Sequence, residues 1–166
     1  MRWTGRAWTY GDHVDTDVII PARYLHNDDR TLWVAHCMED IDTEFSKRLK
    51  PGDFIVATTN FGCGSSREQA PIVIKEAGVA GVIASSFARI FFRNAINIGL
   101  PILESPEASE ATQMGDKLEV DLSTGTILNL SKNKTCHAQP FTDFMRGIIE
   151  MGGLIAYTRE RFKGNR

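Results

Sequence analysis

No stretch of the sequence approaches the ~18 apolar residues of a membrane span, and MRWTGRAWTYGDHVDTD at the N-terminus lacks an apolar run of signal-peptide length. The expectation is a cytoplasmic protein that meets no membrane. An excess of one charge is missing too: 19 basic residues against 21 acidic ones leave a formal −2. That balance provides no global field for nucleic acid or an anionic surface, so any anion site must be local. Cysteine is scarce. Cys37, Cys63 and Cys136 are odd in number, widely separated and never in C-x-x-C spacing, which argues against a disulfide framework and against a zinc or iron–sulfur site built by this chain alone. Internal repeats and low-complexity tracts are also absent.

What is there is enough for one compact domain, residues 1–166, since 166 residues at 42% apolar composition can build a real core. DFIVATT (53–59) is a β-branched run introduced by the Pro51-Gly52 turn, and the helical stretch 69–77 follows it and stops at Gly78. VAGVIAS then reads as a strand. Ser86 is placed to cap FARIFFRNAINIG, in which Phe87, Ile90, Phe91, Asn94, Ala95 and Ile98 share a face and Gly99 is the stop, and LPILE is one more short strand. Strands alternating with helices imply parallel pairing through right-handed crossovers. Residues 116–137 instead alternate apolar and polar around Ser123-Thr124-Gly125, a β-hairpin. Residues 141–162 carry helical spacing broken near Gly152-Gly153 and are expected to pack on the sheet. The fold class is α/β, a mixed sheet with flanking helices and a β-hairpin.

NFGCGSSREQ (60–69) falls at a strand-to-helix junction, the crevice where α/β sheets tend to bind ligands. Ser65 and Glu68 have capping-box spacing, but a helix started at Ser65 would carry Pro71 beyond its first turn, where the ring clashes with a carbonyl. The helix is therefore expected to begin near Gln69 or Ala70. That leaves Gly64-Ser65-Ser66-Arg67 as a turn of its own, with two hydroxyls, backbone N–H groups at a helix start and a guanidinium able to grip a carboxylate. From these features alone, an anion site and a structural cap stand even.

Three segments carry a resemblance: GDHVDTDVIIPARYL, NFGCGSSREQAP and SFARIFFRNAINIGLPILE. In this order they are similar to the small subunits of the isopropylmalate dehydratase family and, more broadly, to the swivelling domain of the aconitase superfamily. The resemblance implies a swivelling β/β/α barrel-like domain. It also implies a hydro-lyase that moves a hydroxyl between adjacent carbons of a branched malate through an alkene, in leucine biosynthesis. The partner would be a large subunit, in a heterodimer or heterotetramer, whose four-iron four-sulfur cluster takes the hydroxyl; this chain would bind no cofactor and be inactive alone. The substrate would be a 2-hydroxy dicarboxylate.

By the same resemblance Ser65 matches a serine base, Arg67 and Ser66, with Gly64, match carboxylate-binding positions, and Asp17 matches an aspartate lining the site. A serine hydroxyl is a poor base at neutral pH, so its activation must come from Arg67, the helix start and desolvation. Tyr24, Leu25, His26 and Asn27 match the loop that faces the substrate's variable arm. Homoaconitase-like members carry Arg in that loop for a third carboxylate; this chain has His26-Asn27, although Arg30 stands further along, and Gln69 replaces the usual His. Sister activities therefore stay open: homoaconitase, citraconate hydratase (citramalate) or 2,3-dimethylmalate dehydratase. A non-catalytic anion-binding module is the rival from another class.

Other residues invite weaker readings. Asp17 also suits a cap or Asx turn, and Asp15 is read as structural. Cys63 beside a helix start suggests a nucleophile, yet no His adjoins it and a packing role in a tight turn is preferred. His13, His26, His36 and His137 show no ligand spacing. Arg89 and Arg93 are taken as a solvated stripe, and Trp3, Trp8 and Trp33 as core or subunit-contact residues.

Overall fold

A computed structural model describes residues 1–163, so the last three positions of the expected 1–166 unit lie outside it. One mixed sheet of seven strands, in the order β4-β3-β2-β1-β5-β6-β7, runs through the molecule. Its central strand was not foreseen. β1 (Arg2–Thr9) pairs antiparallel with β5 (Lys117–Asp121) along residues 2–6 and parallel with β2 (Phe54–Ala57) along residues 7–9, so one strand joins two kinds of sheet. Gly5 makes this possible: a Cβ there would lie 2.0 Å from the carbonyl oxygen of Gly52, in the turn that leads into β2.

On one side of β1, strands β2, β3 (Gly81–Ala84) and β4 (Ile102–Glu104) are parallel, as the alternation of elements predicts. Every residue of β2 and β3 is buried, as expected for strands covered on both faces. Helices α4 (Gln69–Glu76) and α5 (Arg89–Ile98) make the crossovers and pack against each other. On the other side, β5, β6 (Thr126–Asn129) and β7 (Lys134–His137) form a meander. The expected hairpin is correct for β5 and β6, but a third strand extends it; β7 buries only Cys136, too little to show a period of two.

The sheet curls into an open half-barrel. The evidence for the curl is α6 (Pro106–Ala111), which touches both β3 and β7, five strand positions apart; in a flat sheet that is roughly 24 Å at ~4.8 Å per strand. Buried serines tie this helix to strands on both flanks: Ser105 Oγ, at its N-cap, donates to the His137 carbonyl of β7 at 2.9 Å, and Ser109 Oγ to the Ala57 carbonyl of β2 at 2.5 Å. One contiguous core fills the shell, with Ile19, Ile20, Phe45, Phe54, Phe61, Ile74 and Ile83 fully buried, each contributing ~1.5–3 kcal/mol by removal from water.

Between β1 and β2 lie α1 (Thr16–Ile19), a 3-10 turn at Ala22–Tyr24, α2 (Arg30–Ala35) and α3 (Phe45–Arg48). Helices α7 (Asp143–Glu150) and α8 (Leu154–Lys163) break at Gly152-Gly153, as the spacing predicts. Their contacts differ from the expected packing on the sheet: both rest chiefly on α5 and on each other.

Candidate active site

The chain leaves β2 at Ala57 and passes Asn60, in a left-handed conformation (φ 59°), before reaching the Gly64–Arg67 turn. α4 begins at Gln69 with Pro71 in its first turn and no side-chain cap, as the position of Pro71 requires. Ser65 is thus free of capping duty. Gly64, Ser65 and Ser66 are exposed and Arg67 is partly buried.

Backbone bonds from two neighbouring segments hold this turn. On one side, Gly62 N–H donates to Val14 O at 2.8 Å, Thr16 N–H to Cys63 O at 2.9 Å, and Thr16 Oγ1 to Ser65 O at 2.8 Å. On the other, Phe61 N–H donates to Ser86 O at 3.0 Å and Ala88 N–H to Phe61 O at 2.9 Å. Ser86 therefore does not cap α5 as expected. Its hydroxyl accepts from Asn60 N–H at 2.8 Å, and the helix begins two residues later than expected, at Arg89 after Ala88.

The turn opens on a cavity of about 510 Å³, within the size range of small-molecule sites. Gly64, Ser65, Ser66 and Arg67 form one wall; Ala88, Arg89, Ile90, Phe91 and Asn94 form the other, with Asn60 and Cys63 on the floor. Arg89 is thereby placed at the cavity, against the expectation of a solvated stripe, while Arg93 is exposed and outside it. Asn60 and Asn94 escaped the sequence reading. Asn94 did leave a signal, as the one polar residue on the apolar face of α5.

Arg67 is the electrostatic centre. One guanidinium nitrogen lies 2.5 Å from the Asp17 carboxylate and another donates to the Ile20 carbonyl at 3.0 Å. A guanidinium has five N–H donors, so several remain beyond these two contacts. Asp17 itself does not line the cavity; it sits behind Arg67 and fixes it. Asp15 is structural, as read from sequence: it caps α1 by accepting from Asp17 N–H at 2.7 Å, and its carboxylate fills the space beside Gly64, where a Cβ would come within 2.2 Å of it.

The Ser65 hydroxyl enters no hydrogen bond among the described residues; the bonds at this residue run through its carbonyl. Burial, and after it the charge of Asp15, push the Cys63 thiol above its ordinary range. That opposes the lowering expected from a helix start. Among the described residues no three His, Cys, Asp or Glu side chains gather as metal ligands, so the residues present do not fit an iron–sulfur cluster.

Tyr24, Leu25, His26 and Asn27 are not brought to the cavity wall. They begin four residues after Ile20, whose carbonyl Arg67 grips. His26 Nδ1 lies 2.8 Å from the Arg23 carbonyl. Arg30 is paired with Glu76 of α4 at 2.7 Å.

The model of the aconitase C-terminal domain matches residues 14–108. The 3-isopropylmalate dehydratase small subunit of Clostridium beijerinckii is 61% identical over 97% of this chain and 100% of its own length. The 2,3-dimethylmalate dehydratase small subunit of Eubacterium barkeri is 57% identical over 95% of this chain and 96% of its own. A crystal structure of 3-isopropylmalate dehydratase from Methanocaldococcus jannaschii superposes with a TM-score of 0.94 at 47% identity, covering 99% of this chain and 98% of that one.

Proposed function

The chain belongs to the aconitase C-terminal domain family, among the small subunits of 3-isopropylmalate dehydratase, and we propose that its Gly64–Arg67 turn supplies the base and the carboxylate grip for isomerising 2-isopropylmalate and 3-isopropylmalate. It is one half of a hydro-lyase and works with a large subunit. The observation that carries the site assignment is an exposed Ser65-Ser66 pair at the mouth of the cavity, beside a guanidinium already immobilised by Asp17 and Ile20.

In the proposed step the substrate carboxylate beside the reacting carbon lies on Arg67, Ser66 Oγ and the Gly64 backbone. Ser65 Oγ, as the alkoxide, takes the proton from that carbon; the C–H electron pair forms the alkene as the neighbouring C–O bond breaks and the hydroxyl departs. Rehydration in the opposite sense returns the proton and places the hydroxyl on the adjacent carbon. Arg67 stabilises the charge that grows on the carboxylate, the kind of preorganised contact that lowers a barrier most. The same cation, with the start of α4, favours the Ser65 alkoxide. The four-iron four-sulfur cluster expected in the large subunit would supply the Lewis acid for the departing hydroxyl.

A dicarboxylate is favoured over a tricarboxylate because the guanidiniums that flank the 24–27 loop on either side are both paired. Arg23 is held by Glu39 and Asp40, and Arg30 by Glu76. 2,3-Dimethylmalate stays the second reading, on the 57% identity to a subunit of that enzyme. The deciding experiment is turnover by the chain reconstituted anaerobically with its large subunit on isopropylmalate, dimethylmalate, citramalate and homocitrate, read by alkene absorbance. A preference for isopropylmalate is expected; turnover of none of them returns the turn to a plain anion-binding helix start.

A further inference from the structure

The proposed step engages one wall of the cavity and leaves the other without a role. Opposite the Gly64–Arg67 turn stand Arg89, the first residue of α5, and Asn94 further along the same helix. Arg67 has a carboxylate partner in Asp17, whereas Arg89 has none among the described residues. Nor does any Asp or Glu among the described residues line this cavity. Two guanidiniums around one acid-free crevice make a strongly positive enclosure in a chain whose formal charge is −2. Like charges on facing walls repel, and an anion between them relieves the repulsion.

Packing fixes the spacing of the two walls before any ligand arrives. Phe91 lies so close over Gly62 that a Cβ there would come within 2.2 Å of its ring. The same ring meets Phe61 edge-on at 5.3 Å and lies parallel to Phe87 at 6.4 Å. Directly before Arg89, the Ala88 N–H donates to the Phe61 carbonyl at 2.9 Å. The start of α5 is thereby locked to the segment that leads into Ser65 and Arg67, which lowers the cost of ordering a ligand between them. Ala88 brings no side-chain cap to α5, so an anion on Arg89 also meets the first-turn N–H groups of the helix.

We propose that Arg89, assisted by Asn94, is the second carboxylate-binding residue of the site: it takes the carboxylate on the hydroxyl-bearing carbon, while Arg67, Ser66 and Gly64 hold the other. This deepens the proposed function and rests on it. A malate carries its carboxylates on adjacent carbons. Gripped at one of them it can still swing about that contact; gripped at both, from opposite walls, it presents a fixed hydrogen to Ser65 Oγ. The Asn94 amide donates to the same carboxylate as Arg89, which accounts for a polar residue on the apolar face of α5.

The test is Arg89→Gln in the enzyme reconstituted with its large subunit, with Arg89→Lys as the variant that keeps the charge and loses the planar fork. Calorimetry compares 2-isopropylsuccinate, which has both carboxylates and no hydroxyl to lose, with 4-methylpentanoate, the same skeleton less one carboxylate. In Arg89→Gln the Kd of the dicarboxylate is expected to rise about thirtyfold, the scale of one charge-assisted contact. The Kd of the monocarboxylate, held on Arg67, should stay within about twofold, and Arg89→Lys should fall between Arg89→Gln and the unaltered enzyme. In turnover, KM for isopropylmalate should rise by a similar factor while kcat falls less than about fivefold, because the contact is made in ground state and transition state alike. Equal weakening of both ligands marks a cavity that has merely loosened and overturns the assignment, as does an unchanged Kd for the dicarboxylate. If the unaltered enzyme binds isopropylsuccinate but turns over none of the malates, the proposed reaction fails while calorimetry still decides Arg89; if it binds neither ligand, both readings fall.

Discussion

The two flanks of β1 are built from the same kind of short strand and treat their residues oppositely. In the parallel flank, β2 and β3 are buried on both faces, and the polar chemistry is exported to the loop ends: Asn60, Ser65, Ser66 and Arg67 after β2, and Arg89 after β3. In the meander, buried and part-exposed residues alternate along β5 and β6, and its polar side chains are spent on turns, as when Asp121 accepts from Ser123 N–H at 2.9 Å and Asn129 donates to Asp116 at 2.7 Å. A strand with no free face cannot carry a ligand group, so its ends must; a half-solvated strand has its polar groups in place but no enclosed crevice to use them in.

The sharpest way to break this contrast is Ser65→Ala in the reconstituted enzyme. Removal of a positioned base is expected to lower kcat by ~10²–10⁴-fold, with binding of the large subunit unchanged, because the turn is held by backbone bonds that the substitution spares. A fall below tenfold would take Ser65 out of the chemistry and leave the turn a binding feature.

Next in size is Leu118→Ala in β5. This side chain is fully buried opposite Gly5, and its loss should cost ~2–5 kcal/mol of stability, measured by denaturant unfolding, with turnover per folded enzyme within about twofold. A fall of tenfold or more in turnover per folded enzyme would show that the meander reaches the site after all.

The same contrast explains what was legible in the sequence. The parallel flank was readable because strongly apolar strands, glycine stops and Pro71 each restrict the backbone to one answer. The start of α4 and the independence of the Gly64–Arg67 turn followed from one proline. β1 was not readable, since its eight residues include Arg2, Gly5 and Arg6 and its two halves serve different partners, so no single period runs through it. β7 was hidden for a related reason, with one buried side chain in four residues. At the site, the Ser-Ser-Arg turn was visible in local chemistry. Its second wall was not, because Arg89 and Asn94 reach it only through the crossover packing of α5, and Ser86 looked like a helix cap while serving Asn60.

The smallest effect expected is at Cys63, which tests how narrowly the chemistry is confined within the parallel flank. Its thiol lines the cavity two residues from Ser65, yet burial and the Asp15 carboxylate both favour the protonated form. Iodoacetamide labelling of Cys63 in the isolated chain should therefore be slower at pH 8 than that of an unhindered thiol, and should rise only as pH climbs beyond the ordinary thiol range. Cys63→Ala keeps the backbone bond from Thr16 N–H to this carbonyl, so kcat and KM should stay within about twofold. A hundredfold fall in kcat would mean that Sγ touches the reacting atoms, and the division of labour would then lie inside the turn, between a thiol on its floor and a hydroxyl at its rim.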